Sequence, residues 1–249
     1  MTHSVKTQAI VQARTGSTRL RNKIFEPICG KPLLGWVIDR LREARLIDQI
    51  VIATTTNRDD ERVVKFALEE GLPCVCGSEE DVLDRFITVL DKYPAKTIVR
   101  ATGDNPLTDA RLLDLLIEKH LASKADYTGL EAEFPYGLSA EVVSADALRR
   151  AHAESSSPKH REHVTTYIHS QPGMFSIGRV DPPDYLIGRG YRLTVDTGAD
   201  LLLMRALCGR LEKAGKAFNA ENAVALVDSD QELLKINNHV SQKDWRKQL

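Results

Sequence analysis

Within ten residues, Arg14 to Lys23, the chain sets three arginines and a lysine beside Gly16, Ser17 and Thr18, with no acid among them. Guanidinium and ammonium groups make charge-assisted hydrogen bonds to phosphate oxygens. A glycine lets the backbone approach a ligand closely, and hydroxyls donate to oxygen. A segment with this inventory and no internal counter-ion suits the polyphosphate tail of a nucleotide. A solvated basic loop is the competing reading. The excess is regional: from Lys6 to Lys31 there are Lys6, Arg14, Arg19, Arg21, Lys23 and Lys31 against Glu26 alone. Two familiar phosphate loops are excluded. After Gly16 the Walker position holds Arg21-Asn22-Lys23, and no G-x-G-x-x-G occurs.

Two acids stand at comparable junctions. Asp104 in TGDNP and Asp196 in LTVDTG each follow an apolar run. Locally, Asp104 reads as an Asx turn capping the next helix, and Asp196 as part of the N-cap of a helix beginning near Gly198.

The elements that must carry these residues are legible in the first half. TQAIVQA, QIVIATT, PCVCG and KTIVRAT read as short buried strands. Between them lie helical patterns, among them KPLLGWVIDRLREAR opened by Pro32 and DDERVVKFALEEG closed by Gly71. This alternation predicts an α/β fold with a Rossmann-like, mixed but mostly parallel sheet and helices on both faces. Such sheets bind ligands beyond the carboxyl ends of their strands, so the loops 14–23, 54–60 and 102–107 open at one rim. After residue 125 the rhythm changes. ADYTGLEAEFPYGLSAEVVSADAL reads as strand, loop and strand, SPKHREHVTTYIHS as helix, MFSIGRV and YRLTVDT as extended, and GADLLLMRALCGRLEKAG as helix. No linker marks a boundary, so residues 1–249 are expected to form one domain.

The 249 residues are 42% hydrophobic and 28% charged with a net charge of −1, which gives no global field toward nucleic acid or a membrane. The N-terminus has no apolar stretch suited to a signal peptide or a span, and a cytoplasmic location is expected. Cys29, Cys74, Cys76 and Cys208 do not amount to a disulfide framework and read as buried reduced thiols. Cys74 and Cys76 are read as facing opposite sides of a strand, and so as poor paired ligands.

QARTGSTRLRNKI resembles the signature loop of sugar-activating nucleotidyltransferases, the nucleotide-diphospho-sugar transferase or glycosyltransferase-A-like fold. Within that group it is similar to the spore coat polysaccharide biosynthesis protein F family, relatives of the cytidylyltransferases for sialate-type and octulosonate sugars. CGSEEDVLDRF (76–86), VRATGDNPLTD (99–109), REHVT (161–165) and YRLTVDT (191–197) match the family in order, and KINNHVSQKDW (235–245) resembles its C-terminal end.

The resemblance implies attack by an oxygen of an acidic sugar on the α-phosphorus of CTP, giving a CMP-sugar and pyrophosphate. It places Mg²⁺ on Asp104 and Asp196, and Mg²⁺ is commonly held by one or two carboxylates plus substrate phosphates. Arg14, Lys23, Asp104 and Asp196 are the implied catalytic group, with Arg14, Arg19 and Lys23 on the β- and γ-phosphates. Nucleotide contacts are implied for Ala13, Gly16, Ser17, Thr54, Thr55, Arg85 and Thr102 as well. Thr54 and Thr55 read equally as a polar loop, and Arg85 by default as a solvent-facing partner of an acid. The acceptor side is implied to include Tyr136, Glu141, Arg161 and His163, and residues 133–144 to form an arm across a homodimer axis.

Sialate-type relatives usually follow the loop lysine with asparagine. Here Ile24 stands there, which keeps GTP or another triphosphate as an alternative. The spacing His160-Arg-Glu-His163 fits no zinc helix motif. A glycosyltransferase is the other enzyme class, but no Asp-x-Asp follows a rim strand. A non-catalytic nucleotide-binding subunit would lack the two aspartates.

Overall fold

The computed structural model describes residues 5–171 and 173–241. The part of KINNHVSQKDW beyond residue 241 lies outside them. Seven apolar runs pair into one sheet: β1 Thr7–Gln12, β2 Gln49–Thr55, β3 Cys74–Gly77, β4 Thr97–Thr102, β5 Tyr127–Leu130, β6 Glu141–Ser144 and β7 Ile177–Val180. Their order is β3-β2-β1-β4-β6-β5-β7. The first four are parallel, and β6 runs antiparallel to both β4 and β5.

Alternation along β1 explains the layers. Ala9 and Val11 point to the face covered by α1 (Leu33–Glu43) and α4 (Ala110–Ser123), where Val37, Ile38, Leu113 and Leu116 are fully buried. Ile10 points to the opposite face, against Leu83 and Phe86 of α3 (Val82–Lys92) and Leu148 of α5 (Ala145–Glu154). Helix α2 (Glu61–Glu69) adds Val63 and Phe66 to the first layer. A third cluster packs α8 (Gly198–Lys213) and α9 (Ala220–Ser229) onto Ile28, Leu107, Leu193 and Val195. The predicted fold class is therefore the observed one.

The second half departs from the pattern reading. SPKHREHVTTYIHS is not one helix. It breaks at Val164, with φ of 57°, into α6 (Pro158–His163) and α7 (Thr166–Ser170). Among the described residues YRLTVDT belongs to no strand of the sheet, and an isolated bridge pairs its Arg192 with Tyr136. Residues 133–144 are tied to their own chain. Tyr136 exchanges backbone hydrogen bonds with Tyr191 and Leu193, Leu138 is fully buried, and the last four residues are β6.

The cysteines also differ. Cys29 and Cys208 are joined as a disulfide across 179 residues of chain. Cys74 and Cys76 share one face of β3, because side chains two apart in a strand point the same way. Burial and the adjacent Cys76 push the Cys74 thiol up to about 12, while Cys76 is exposed. Closing so long a loop restricts the unfolded chain, so reduction is expected to cost about 2–5 kcal/mol. For a chain this size that is roughly 5–15 °C in Tm, measurable by thermal denaturation with and without a phosphine reductant. An unchanged Tm on verified reduction would contradict it.

Candidate active site

Strands β1 and β4 end level with each other, Gln12 opposite Thr102. The chain therefore leaves the sheet at one rim by two adjacent exits. The Gly103 amide donates to Gln12 O at 3.0 Å, and a Cβ at Gly103 would lie 3.2 Å from that of Ala13. Small residues at 13 and 103 are what let the two loops emerge side by side.

The capping question left open by the sequence is decided here. Helix α4 is capped by Asp109, which accepts from the Arg111 and Leu112 amides. Helix α8 is capped by Thr197 in a reciprocal box with Asp200. Asp200 also accepts from the Asp196 amide at 3.0 Å. Neither Asp104 nor Asp196 caps a helix. The Val195 amide donates to Asp104 O at 2.9 Å, and buried Leu193 and Val195 pin the 193–196 segment alongside. The two carboxylates are thus left facing the rim.

They meet on Lys23. Its ammonium donates to Asp104 Oδ2 at 2.7 Å, Asp196 Oδ1 at 2.8 Å and Val195 O at 2.9 Å, which uses all three donors. Arg19 reaches Asp196 at 3.1 Å, and Arg192 at 2.5 Å. Burial acts to lower the Lys23 pKa, but Asp104 and Asp196 hold it above the ordinary lysine value. Burial acts to raise Asp196, and Lys23, Arg192 and Arg19 hold it below the usual carboxylate range.

The basic loop is accordingly not without counter-ions. Its acids come from elsewhere in the chain: Glu79 for Arg14 at 3.2 Å, Asp59 for Arg21 at 3.1 Å, and the two rim aspartates for Lys23. The loop is shaped by Thr15, whose amide and hydroxyl both donate to buried Asp60 at 2.7 Å.

Two adjoining cavities open at this rim. One, of about 240 Å³, is lined by Gln12, Ala13, Arg14, Ser17, Lys23 and Ile24 among others. The other, of about 530 Å³, is lined by Arg100, Tyr127, Tyr136, Glu141, Glu162 and His163 among others. Thr18, Arg19, Thr102, Asp104 and Asp196 line both, so the two aspartates stand where the cavities join. The larger volume is within the range of small-molecule sites.

Several expected contacts fall elsewhere. Gly16 is exposed and lines neither cavity; a Cβ there would lie 3.2 Å from Glu79 Oε1. The Thr54 and Thr55 side chains are buried, and the Thr55 hydroxyl bonds Asp60. Through Asp60, Thr55 braces the loop from beneath. Arg85 is neither solvent-facing nor at a cavity. It is 2% exposed and its Nη1 donates to Ser78 O, so it shapes the turn carrying Glu79. Arg161 lines neither of these cavities. Residues two apart on a helix do not share a face, and with His163 at the cavity, Arg161 turns to Ser155 O, His152 O and Asp81.

Glu141 lies opposite Arg100 in register and bonds it at 2.6 Å. Burial would raise its carboxyl, but Arg100, with His169 and Tyr127, brings it below the ordinary value. Burial lowers the His163 imidazole. Arg100, Arg192 and Asp200 were not singled out from the sequence, although the first two lie in the matching stretches 99–109 and 191–197.

The family model described as cytidylyltransferase matches residues 8–197. The chain belongs to the cytidylyltransferase family. The matched stretch runs from β1 to the cap of α8 and so contains the basic loop and both rim aspartates. The uncharacterized protein MJ1063 of Methanocaldococcus jannaschii is 36% identical over 97% of this chain and 98% of its own. The spore coat polysaccharide biosynthesis protein SpsF of Bacillus subtilis is 35% identical over 83% of this chain and 87% of its own. A cytidylyltransferase structure from Leptospira borgpetersenii superposes with a TM-score of 0.84 at 24% identity, over 96% of this chain and 99% of the other, which shows a shared fold. Among the described residues no helix is long and apolar enough to cross a membrane.

The shifted groups of this cytidylyltransferase-family chain set its response to acid. Asp196, Asp200 and Glu141 have folded pKa values below their unfolded ones. Their stabilisation is complete above the unfolded carboxylate value of about 4 and is lost as pH falls through the folded values. Lys23 acts oppositely, stabilising below about 10.5 and less as pH rises through its raised value. The His120 and His163 imidazoles, lowered by burial, begin to cost stability as pH falls below about 6.5. The urea midpoint is expected to be highest near about pH 7 to 8, to slip as these imidazoles charge and to drop steeply below about pH 4. A midpoint unchanged from pH 6 to 3 would contradict this.

Proposed function

We propose that this chain transfers a cytidylyl group from CTP to an acidic sugar, releasing pyrophosphate, with Mg²⁺ as cofactor. The observation that carries the reading is the convergence of Asp104 and Asp196 on one cation at the junction of two cavities. The family membership supports CTP. The resemblance to enzymes for sialate-type and octulosonate sugars supports an acidic acceptor, and the Bacillus subtilis relative's name supports a role in surface polysaccharide synthesis.

The donor set fits the metal. Two carboxylates present hard oxygens, and the Lys23 ammonium already stands between them as a cation. Asp104 and Asp196 would hold Mg²⁺, which would supply neutralisation of the charge that builds during transfer. The chain's own cations would do the rest. Arg14, Arg19 and Lys23 would hold the tail that leaves as pyrophosphate, each exchanging a carboxylate of its own chain for a phosphate oxygen. The smaller cavity would take the nucleotide and the larger one the acceptor, so that positioning supplies much of the rate. A cytoplasmic homodimer belongs to the same reading.

The test is pyrophosphate release across ATP, CTP, GTP and UTP against a panel of sugar acids and their neutral counterparts. CTP with a sugar acid is expected to be fastest. Because apolar Ile24 lines the nucleotide cavity, preference for GTP is the specific result that would replace CTP in this reading.

A further inference from the structure

Resting on that reading, the geometry points to Arg100 as the residue that receives the acceptor's carboxylate, in place of Arg161. Arg100 lies on β4 with its side chain 15% exposed, and it lines the larger cavity. Its Nε donates to Gln12 Oε1 at 3.2 Å and its Nη1 to Glu141 Oε2 at 2.6 Å. Among the described residues Nη2 has no hydrogen-bond partner. A planar guanidinium held at two of its nitrogens has the direction of the third set as well.

Glu141 is the anchor. Its oxygens also accept from the Tyr127 hydroxyl at 2.8 Å and the Thr165 hydroxyl at 3.1 Å. A carboxylate so fully occupied is a poor proton acceptor for a substrate and a good fixed point for an arginine. Buried ion pairs contribute little net stability for their desolvation cost. One built into a cavity wall is better explained by what the arginine can hold.

The other cations near this cavity are committed elsewhere. Arg19 is paired with Asp196 and Lys23 with both rim aspartates, while Arg161 faces α3. The His163 imidazole is held neutral near pH 7 by burial. The guanidinium fork of Arg100 matches a carboxylate, and an ester or amide of the same sugar would lose the charge-assisted part of the contact.

The test compares 3-deoxy-manno-octulosonate and N-acetylneuraminate with their methyl esters as acceptors, using CTP and pyrophosphate release. Arg100→Lys keeps a charge but loses the fork. Arg100→Met combined with Glu141→Gln removes both charges and leaves none buried alone. The unmodified chain is expected to favour an acid over its ester. Arg100→Lys is expected to raise KM for the acid by roughly 10- to 100-fold. The double variant is expected to bring the acid-to-ester ratio near one, with the CTP-induced rise in melting temperature retained in both. Folded, CTP-binding variants that keep the preference for the acid would overturn the assignment of Arg100 alone. Transfer by the unmodified chain only to neutral sugars would overturn both Arg100 and the acidic acceptor. Absence of any CTP-dependent transfer would overturn the proposed function and this inference with it.

Discussion

Asp196→Asn is expected to lower pyrophosphate release from CTP by roughly 10²- to 10³-fold, and Asp104→Asn by a similar factor. Asparagine keeps the shape and one acceptor oxygen, so Lys23 retains a neutral partner and the rim need not collapse. What disappears is the negative charge that would hold the metal. The two variants should separate in stability. Asp196 faces Lys23, Arg19 and Arg192, whereas Asp104 faces Lys23 alone. Losing the first leaves three cations short of a shared counter-charge, at a cost of about 1–3 kcal/mol, since the site is only partly shielded from water. Losing the second should cost less. Kinetics in Mg²⁺ and thermal denaturation of both variants would check this together. Full Mg²⁺-dependent activity in both would remove the two aspartates from the metal site.

Lys23→Met should be equally damaging to activity, but for a different reason. Without the ammonium, two carboxylates converge with no charge between them, and each disfavours ionisation of the other. The variant is expected to lose activity by roughly 10²-fold or more, because a phosphate contact goes with it. It is also expected to melt lower than the parent. A divalent cation can replace the missing charge. Millimolar Mg²⁺ should therefore raise the melting temperature of Lys23→Met well above any rise in the parent, where Lys23 competes. This readout needs no nucleotide and no turnover. Equal Mg²⁺ responses in parent and variant would mean that the carboxylates do not hold the ion.

How far the residues could be read in advance follows a consistent physical line. The four parallel strands and the helices α1 to α4 were legible, because the apolar period of each reports its own burial, whereas the two-residue strands Pro27–Ile28 and Lys31–Pro32 are too short to show one. The rim could be located as well, since parallel strands joined by helices must end on the same side. Arg14, Arg19, Lys23, Asp104 and Asp196 were placed at that rim and do meet there. Local pattern could not tell a capping aspartate from a free one. That waited on Asp109 and Thr197 taking the two caps.

The rest depended on contacts between segments far apart in the chain. Arg14 and Glu79 are separated by 65 positions, and Lys23 and Asp196 by 173. No window of sequence contains both partners, so the loop read as lacking counter-ions when it has several. Arg161 and Arg100 show the same limit. A motif named the first, but its helical spacing from His163 turns it to Asp81 at the start of α3, while strand register puts the second opposite Glu141. Periodicity is set by each residue's neighbours in the chain and survives in the string of letters. Which charge finds which is set by packing across the sheet, and it exists only once the chain has folded.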